Sequence, residues 1–496
     1  MTKTYYITTA IDYPNGAPHL GHAYEKVAAD FYARYHRIFS GGAHFLTGTD
    51  ENGQKLIKSA AANGKETAAF VDENVDIFKH LCTSLNISND DFIRTTEKRH
   101  FDFVQDSWNT LLKKELIYKG SYSGHYCYDC ENFYTESQAK DLICPEHGKK
   151  LELVEEEGYF FKLSKYQTQL IDLIEGQENF ISPKGSRKEI LTRLKTDDLR
   201  DIAVSRPSEG WGVPVPGDDK FVIYTWFDAL MNYTSALDEN QMKELWPANT
   251  HVIGKDIAWF HTVIWPSILM GLELAIPSQI YVHGMVLDAN GKKMSKSLNN
   301  GVDPMEMIVK YPLDSFRYYL LYGIPALADG SFSEEELINT HNTALANDLG
   351  NLIMRIVKLA LKKLDSEVLN FDKFTNDRSF EEFSTRFHAH TKNFDHNKAI
   401  DTVREYVQAC NQYVNDTAPW QYKEEADLPQ LKNIVFNCLY AIHCAAFHYA
   451  PAMPDIFKTI MSTINPSLDS DPTKEFENLS YTMKTPEILF EKILSE

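Results

Sequence analysis

The chain has 496 residues, of which 43% are hydrophobic and 24% charged, as is usual for a soluble globular protein of several domains. The net charge of −20 argues against non-specific nucleic-acid binding, because the phosphate backbone attracts cations, but it leaves room for a local basic face. The sequence shows no apolar run near the ~20 residues that a membrane span needs. A strand-like run, YYITT, begins at Tyr5 and leaves no room for a signal or transit peptide, so we expect a cytoplasmic protein.

Strand and helix patterns alternate over residues 1–117. This alternation predicts an α/β fold in which a parallel sheet carries helices on both faces. Ligands of such sheets bind beyond the carboxyl ends of the strands. The predicted strands cover residues 3–11, 44–49 and 91–95, and the predicted helices cover 17–40 (with Pro18 at an early position), 54–63, 67–85 and a segment ending near 116.

His19-Leu20-Gly21-His22 lies at the first strand-to-helix turn. His19 and His22 are three residues apart and therefore share one helical face, at a helix N-terminus that favours an anion. Gly21 has no side chain, so a flat ligand can approach the backbone. Taken alone, the two histidines are more often capping or packing residues than ligand-binding ones.

The segment 288–297, DANGKKMSKS, follows an apolar strand-like run at 279–287. Its small polar residues and Asn290-Gly291 predict a flexible loop. A mobile loop of compact cations suits a polyphosphate that must be held and then released. A solvated charged loop is the alternative for this segment taken by itself.

Together, His19-Leu20-Gly21-His22 and Lys293-Met294-Ser295-Lys296-Ser297 resemble the signature of class I aminoacyl-tRNA synthetases, and the sequence shows no Walker-type phosphate loop. Residues 10–16 (AIDYPNG), 48–53 (GTDENG) and 254–256 (GKD) further resemble methionyl-tRNA synthetases, and the match runs nearly end to end. This resemblance implies that ATP activates L-methionine to methionyl-adenylate. The methionyl group then passes to the 3′-terminal ribose of initiator and elongator tRNA(Met), and pyrophosphate and AMP are released.

The resemblance also implies roles for the two motifs. His19 and His22 would bind ATP phosphates, and Gly21 would face adenine. Lys293, Ser295 and Lys296 would hold the departing pyrophosphate, with Mg²⁺ bridging phosphate oxygens, and Asp256 would help to orient the substrate.

A methionine pocket follows from the same resemblance. Aromatic edges suit a thioether, and Asp50 would pair with the substrate ammonium. Without the resemblance, a core role for Phe260 and Trp265 remains an open alternative. The pocket positions are Ile11, Tyr13, Asp50, Trp226, Tyr233, Phe260, His261 and Trp265.

Residues 118–222 form an expected insertion, within which Cys127-x2-Cys130 precedes Cys144-x2-His147. Three thiolates and one imidazole at this spacing can close a tetrahedral structural Zn²⁺ site, the alternative being reduced cysteines without a metal. The resemblance agrees, since it implies a single zinc knuckle in a connective peptide. Beyond the knuckle we predict helices at 165–174 and 186–194, the second capped by Ser186, and we take Arg206 as a candidate substrate-side cation.

Residues 223–341 return to the sheet, with expected strand character at 224–230 and 251–256 and an apolar helix from Trp259. From residue 342 the strand signals end, and amphipathic segments at about 343–364, 377–395, 397–416 and 428–449 predict an all-α bundle over 342–496.

A basic stripe, Asn351, Arg355, Lys358 and Lys362, marks the first bundle helix. Such a stripe is usually a solvated face. The resemblance implies instead that Asn351, Arg355 and Trp420 read the CAU anticodon by stacking and hydrogen bonding. We see no appended tRNA-binding module before Glu496 and expect a monomer.

Three rival functions remain open at this point. They are a class I synthetase for another apolar amino acid, a small-molecule nucleotidyltransferase of the same superfamily, and a non-catalytic zinc-containing RNA-binding relative.

Overall fold

A computed structural model describes residues 3–127, 132–134, 139–145, 148–294, 300–364, 367–369, 377–464, 472 and 479–494. The strands are β1 (Tyr5–Thr9), β2 (Ala43–Thr49), β3 (Asp91–Arg94), β4 (Ile117–Cys127), β5 (Asn132–Tyr134), β6 (Glu152–Phe161), β7 (Ile181–Ser182), β8 (Ile202–Ala203), β9 (Ser205–Pro207), β10 (Phe221–Ile223), β11 (Thr250–Gly254), β12 (Gln279–His283), β13 (Val286–Leu287), β14 (Gly330–Ser331), β15 (Glu367–Leu369) and β16 (Ser480–Thr482).

The α-helices lie between these strands and form most of the carboxyl-terminal part of the chain. They are α1 (Leu20–Phe39), α2 (Gln54–Ala62), α3 (Thr67–Ser84), α4 (Lys98–Lys113), α5 (Gln167–Gly176), α6 (Lys184–Thr196), α7 (Thr225–Ala229), α8 (Asn232–Ser235), α9 (Glu239–Leu245), α10 (Trp265–Leu272), α11 (Pro304–Lys310), α12 (Leu313–Tyr322), α13 (Glu334–Thr340), α14 (Asn351–Lys363), α15 (Asp377–Lys392), α16 (His396–Thr417), α17 (Leu428–Tyr449) and α18 (Pro454–Ile464).

The central sheet is parallel, with strand order β3-β2-β1-β11-β12-β7. The first strand, β1, lies between β2 and β11, so the chain order reverses direction beside it. Ligands bind beyond the carboxyl ends of the strands at such a switch point. The predicted parallel α/β sheet is therefore confirmed, but its edge strand β7 comes from the inserted segment, which the sequence did not predict.

Helix α1 lies between the sheet and the helical part of the chain. Its side chains Leu20, Val27 and Phe31 are fully buried in a core that it shares with α12, α14, α16 and α17. A buried ion pair joins the same parts, since Arg317 on α12 lies 2.6 Å from Asp30 on α1 and both side chains are inaccessible to solvent. Arg317 also donates to the carbonyl of Ala452, which precedes α18. These contacts fix α1 relative to both parts.

Several local predictions were wrong. The segment predicted as a returning strand at 224–230 is helical over Thr225–Ala229, and Ser186 lies inside α6, whose N-cap is Pro183. Pro18 lies outside α1, which begins at Leu20 with His19 as its N-cap. The strand predicted at 279–287 is divided at Gly284, where an added Cβ would lie 2.1 Å from the Ala328 carbonyl oxygen. Close backbone packing interrupts the ladder there.

The insertion contains a long antiparallel hairpin, β4 with β6, flanked by β5 and β8. The carboxyl-terminal part is the predicted helical bundle, α14 to α18. It also contains one antiparallel pair, β15 with β16, which the sequence did not predict. Within the described ranges, the helices are too short or too polar to cross a membrane.

Candidate active site

The two histidines of the first turn of α1 cap that helix. His19 Nδ1 accepts from the Gly21 amide at 3.1 Å, and His22 Nδ1 accepts from the His19 amide at 3.0 Å. Their rings stack with centroids 3.8 Å apart. Because each Nδ1 is an acceptor, the proton of each neutral imidazole resides on Nε2. An added Cβ at Gly21 would lie 3.0 Å from the His19 ring, so any side chain there would crowd the histidine.

Two aromatic side chains of the predicted methionine pocket stack on each other beyond the sheet. The rings of Trp226 and Phe260 lie 4.0 Å apart at an angle of 14°. Phe260 begins a π-helical turn, Phe260–Ile264, which leads directly into α10. Such turns occur frequently at functional sites because they redirect side chains within a helix.

The polar members of the pocket form one ordered chain. His261 Nδ1 lies 3.0 Å from the Ile257 carbonyl oxygen and must donate to it, so Nε2 accepts from the Tyr233 hydroxyl at 2.7 Å. Burial lowers the pKa of His261 to about 4, so the ring is neutral at pH 7. The pocket therefore presents a polar, uncharged wall.

His251 supports that wall and was not predicted from the sequence. Its ring stacks on Tyr233 at 4.1 Å, and its Nε2 lies 3.3 Å from Trp265 Nε1, which can only donate. His251 Nδ1 therefore donates to the Thr8 hydroxyl at 2.8 Å. A histidine in an apolar strand gives no sequence signal for this role.

Asp50 lies at the edge of the pocket. It is 7% exposed and accepts from the Thr225 hydroxyl at 3.2 Å, which ties it to the residue before Trp226. Burial, followed by the Asp50 charge, raises the pKa of Asp228 well above its usual range. Of these two neighbouring carboxyl groups, Asp228 therefore ionises less readily than an ordinary aspartate.

The remaining two pocket positions, Ile11 and Tyr13, pack in different hydrophobic clusters. Ile11 packs with the cluster that contains Trp265, whereas the Tyr13 ring packs with a separate cluster that includes Leu56 and Phe70. An added Cβ at Gly53 would lie 2.2 Å from the Tyr13 hydroxyl oxygen. The structure thus places the Tyr13 ring beside Gly53.

The lysine-containing loop follows β13, which contacts α1. Asp288 begins the loop by accepting from the amides of Asn290 and Lys292. Lys293 is exposed, and Met294 packs against the core that contains α1. Ser295 and Lys296 lie outside the described residues. The loop comes after the carboxyl end of β12, and the histidine turn (His19–His22) comes after that of β1, so both lie on the same side of the parallel sheet.

Two further charged residues were predicted near the substrate. Asp256 is exposed just after β11, with its carboxylate folded over Gly254. Arg206 is 7% exposed, and its guanidinium packs over the Tyr224 ring at 4.2 Å.

The predicted anticodon residues meet at one end of the bundle. The Arg355 guanidinium lies over the Trp420 ring, 5.4 Å from its centroid, and donates to Asn415 at 3.0 Å. Trp420 is 47% exposed, which is unusual for so large an apolar ring. Asn351 is exposed one helical turn before Arg355.

Half of the predicted zinc site falls on described residues. Cys127 and Cys144 are buried in one small cluster with Ala139 and Leu151. The Gly148 amide donates to the Cys144 carbonyl at 2.9 Å, which closes a tight turn after Cys144. Cys130 and His147 lie outside the described residues, and among the residues that are described no three potential ligands come together. Two buried thiols beside a tight turn fit a zinc knuckle.

Two histidines cap a helix at the switch point of a parallel sheet, and a lysine-containing loop lies on the same side of that sheet. This arrangement defines a class I aminoacyl-tRNA synthetase. The family model of tRNA synthetases class I (M) matches residues 5–152 and 141–357, and that of the anticodon binding domain of methionyl tRNA ligase matches residues 374–496. The chain belongs to the methionine–tRNA ligase family.

Similar proteins agree over nearly the whole chain. The methionine–tRNA ligase of Brucella suis is 41% identical over 93% of this chain and 92% of its own length, and that of Thermotoga maritima is 38% identical over 95% and 76%. The structure of Mycobacterium tuberculosis methionyl-tRNA synthetase with methionyl-adenylate superposes with a TM-score of 0.92, at 35% identity over 98% of this chain and 99% of that one.

Proposed function

We propose that this chain activates L-methionine with ATP and transfers the methionyl group to tRNA(Met). The observation that carries the proposal is the shared location of two sites. His19 and His22, which cap α1, follow β1. The neighbouring strand β11 adjoins the pocket formed by the Trp226–Phe260 stack and the Tyr233–His261 pair. An amino acid in the pocket and a nucleotide at the helix N-terminus would meet at this switch point.

In the first step, the methionine carboxylate attacks the α-phosphorus of ATP, and pyrophosphate leaves. In the second step, the terminal ribose hydroxyl of the tRNA attacks the activated carbonyl, and AMP leaves. Neither step needs a side-chain nucleophile, so catalysis consists of positioning and charge stabilisation. Asp50 would bind the ammonium, and the Nε2–H groups of His19 and His22 would donate to phosphate oxygens.

The remaining residues hold the ends of the substrates. Lys293, Ser295 and Lys296 would bind the pyrophosphate, which Mg²⁺ accompanies, and Asp256 would help to orient the nucleotide. The exposed Trp420 beside Arg355 and Asn351 would stack on and hydrogen-bond unpaired anticodon bases.

We also propose a structural Zn²⁺ held by Cys127, Cys130, Cys144 and His147. The burial of Cys127 and Cys144 in one cluster supports this set. The metal would stabilise the insertion and take no part in the reaction, because four protein ligands leave no position for substrate.

ATP–pyrophosphate exchange tests the proposal. We expect exchange that depends on methionine and is far weaker with leucine, isoleucine or valine, followed by charging of tRNA(Met) but not of a tRNA with another anticodon. Exchange with a different amino acid would indicate a different synthetase. Nucleotidyl transfer without any amino acid would indicate the small-molecule enzyme, and RNA binding without exchange would indicate the non-catalytic relative.

A further inference from the structure

A buried ion pair lies directly behind the histidine turn. Lys26, on α1 one turn beyond His22, is completely buried, and its Nζ lies 2.6 Å from Asp12 Oδ2. Asp12 is 5% exposed and follows β1. Lys26 also donates to the Thr47 hydroxyl at 3.1 Å. Desolvating two charges is costly, so a pair in this place calls for an explanation beyond stability.

The backbone of Asp12 pairs with the carboxyl end of β2. Its amide donates to the Gly48 carbonyl at 2.9 Å, and its carbonyl accepts from the Asp50 amide at 2.8 Å. The main chain of Asp12 is therefore fixed relative to Asp50, the residue that would bind the substrate ammonium.

The second carboxylate oxygen of Asp12 faces His22. Asp12 Oδ1 lies 3.9 Å from His22 Nε2. Because His22 Nδ1 accepts from the His19 amide, it is the proton-bearing Nε2 that is turned towards Asp12. One carboxylate thus lies between a buried ammonium and the imidazole that would bind phosphate.

We propose that Asp12 and Lys26 are positioning residues for His22. The His19 amide sets the tautomer of His22, and Asp12, at 3.9 Å and so beyond hydrogen-bonding distance, attracts the Nε2–H edge of the ring electrostatically and restrains its orientation. Lys26 neutralises the carboxylate, so that no net negative charge stands beside the phosphates. This inference rests on the proposed role of His22 in binding ATP.

The charged groups around the pair fix the pH range in which it acts. Burial raises the pKa of Asp12 to about 6, with Lys26 opposing and Glu25 adding to this shift. Burial acts to lower the pKa of Lys26, but Asp12, Cys82 on α3 and Glu25 raise it, so the ammonium remains charged. Asp12 is therefore ionised above about pH 6 and loses its charge below it.

The double variant Asp12→Asn/Lys26→Met removes both charges and nearly preserves both volumes. We expect kcat for ATP–pyrophosphate exchange to fall about tenfold or more, because small misplacements of a catalytic group are costly. The KM for methionine should stay unchanged. The decline in kcat/KM for ATP as the pH falls through about 6 should be weaker in the variant than in the natural protein.

The matched control is Asp30→Asn/Arg317→Met, which neutralises another buried pair that lies away from the histidine turn. With rates referred to the concentration of active sites, this control should exchange normally even if its melting temperature falls. An Asp12→Asn/Lys26→Met protein with a natural rate and pH profile would overturn the proposal. If that variant does not fold, the pH profile of the natural protein serves as the test. A kcat/KM for ATP that does not decline near pH 6 then rejects the proposal.

Two further variants separate the two hypotheses. Lys26→Met leaves the carboxylate without its cation, so the KM for ATP should rise more than in the double variant. His22→Ala tests the proposed function itself. If His22→Ala exchanges normally, the phosphate-binding role of His22 is wrong, whereas an inactive His22→Ala beside a fully active double variant rejects only the positioning role.

Discussion

The Tyr233 hydroxyl donates to His261 Nε2 at 2.7 Å, and His261 Nδ1 in turn donates to the Ile257 carbonyl. This chain fixes the tautomer of a neutral histidine inside an otherwise aromatic pocket. Tyr233 can therefore accept, but not donate, one further hydrogen bond near a bound side chain. The polar wall of the pocket therefore offers a hydrogen-bond acceptor, the Tyr233 hydroxyl oxygen.

Replacing Tyr233 by Phe should weaken methionine binding, because it leaves the buried His261 Nε2 without its donor. The loss of such a partner costs about 1–3 kcal/mol, so the KM for methionine should rise roughly fivefold or more. Exchange kinetics with methionine and norleucine would measure the change and show reduced discrimination. Tyr5→Phe is the control, since it removes a hydroxyl 2.6 Å from Thr250 Oγ1 at the opposite end of the sheet. An unaltered KM in Tyr233→Phe would contradict the assigned pocket.

Lys296→Ala should lower the rate of ATP–pyrophosphate exchange by about 100-fold or more, as the removal of one transition-state donor typically does. Methionine affinity, measured by equilibrium binding, should barely change. Lys310→Ala, in which an exposed lysine paired with Glu334 is removed, is the control. If Lys296→Ala exchanges at the rate of the natural protein, the proposed role of the loop is wrong.

Zinc content tests the knuckle. The purified protein should contain about one zinc per chain, and a chelator that releases it should lower the melting temperature. Cys144→Ser should lose most of the metal, whereas Cys410→Ser, at another buried cysteine in the bundle, should retain it. Metal-free protein with unchanged stability and activity would show that the cysteines are only packed.

Trp420→Ala should reduce methionylation of tRNA(Met) and leave ATP–pyrophosphate exchange intact. Trp420 follows the carboxyl end of α16, whereas the first residue of α16, His396, contacts Tyr24 and Tyr32 on α1, so the length of α16 separates the ring from α1. Loss of one base-stacking partner costs about 1–3 kcal/mol, so kcat/KM for tRNA should fall roughly tenfold. Trp420→Phe, which keeps a stacking ring, should recover part of the rate. Equal charging by the alanine variant and the natural protein would exclude the anticodon role.

Acid should destabilise the protein partly through His396. Burial lowers the pKa of this histidine to about 3, and its ring nitrogens lie 3.0 and 3.3 Å from the hydroxyls of Tyr32 and Tyr24. The folded-state pKa lies below the ordinary 6.5, so its contribution to stability is complete above pH 6.5 and declines as the pH falls towards 3. The melting temperature of His396→Gln should depend less on pH between 7 and 4 than that of the natural protein. His80→Gln, at an exposed position, should keep the natural slope.

Local patterns in the chain predicted most of the fold correctly. Alternating strands and helices gave the parallel sheet, and the apolar periodicity after residue 342 gave the bundle, because both patterns reflect short-range backbone geometry. The prediction at 224–230 failed since a short aromatic run does not distinguish a buried strand from a buried helix. The small pair of β15 with β16 joins segments more than a hundred residues apart, and local periodicity carries no information about such a pairing.

The sequence by itself determined the motifs, the residue types of the pocket and the basic stripe on α14, because spacing along a helix or turn fixes which side chains share a face. Only the tertiary structure decided that His251 supports Tyr233, that the Tyr13 ring lies beside Gly53, and that Asp12 stands between Lys26 and His22. These relationships depend on how separate elements pack, and an ion pair is recognisable as buried only once the surrounding side chains have excluded water. The tertiary structure thus identified Asp12 and Lys26, two charged residues behind the histidine turn, as candidate positioning residues for His22.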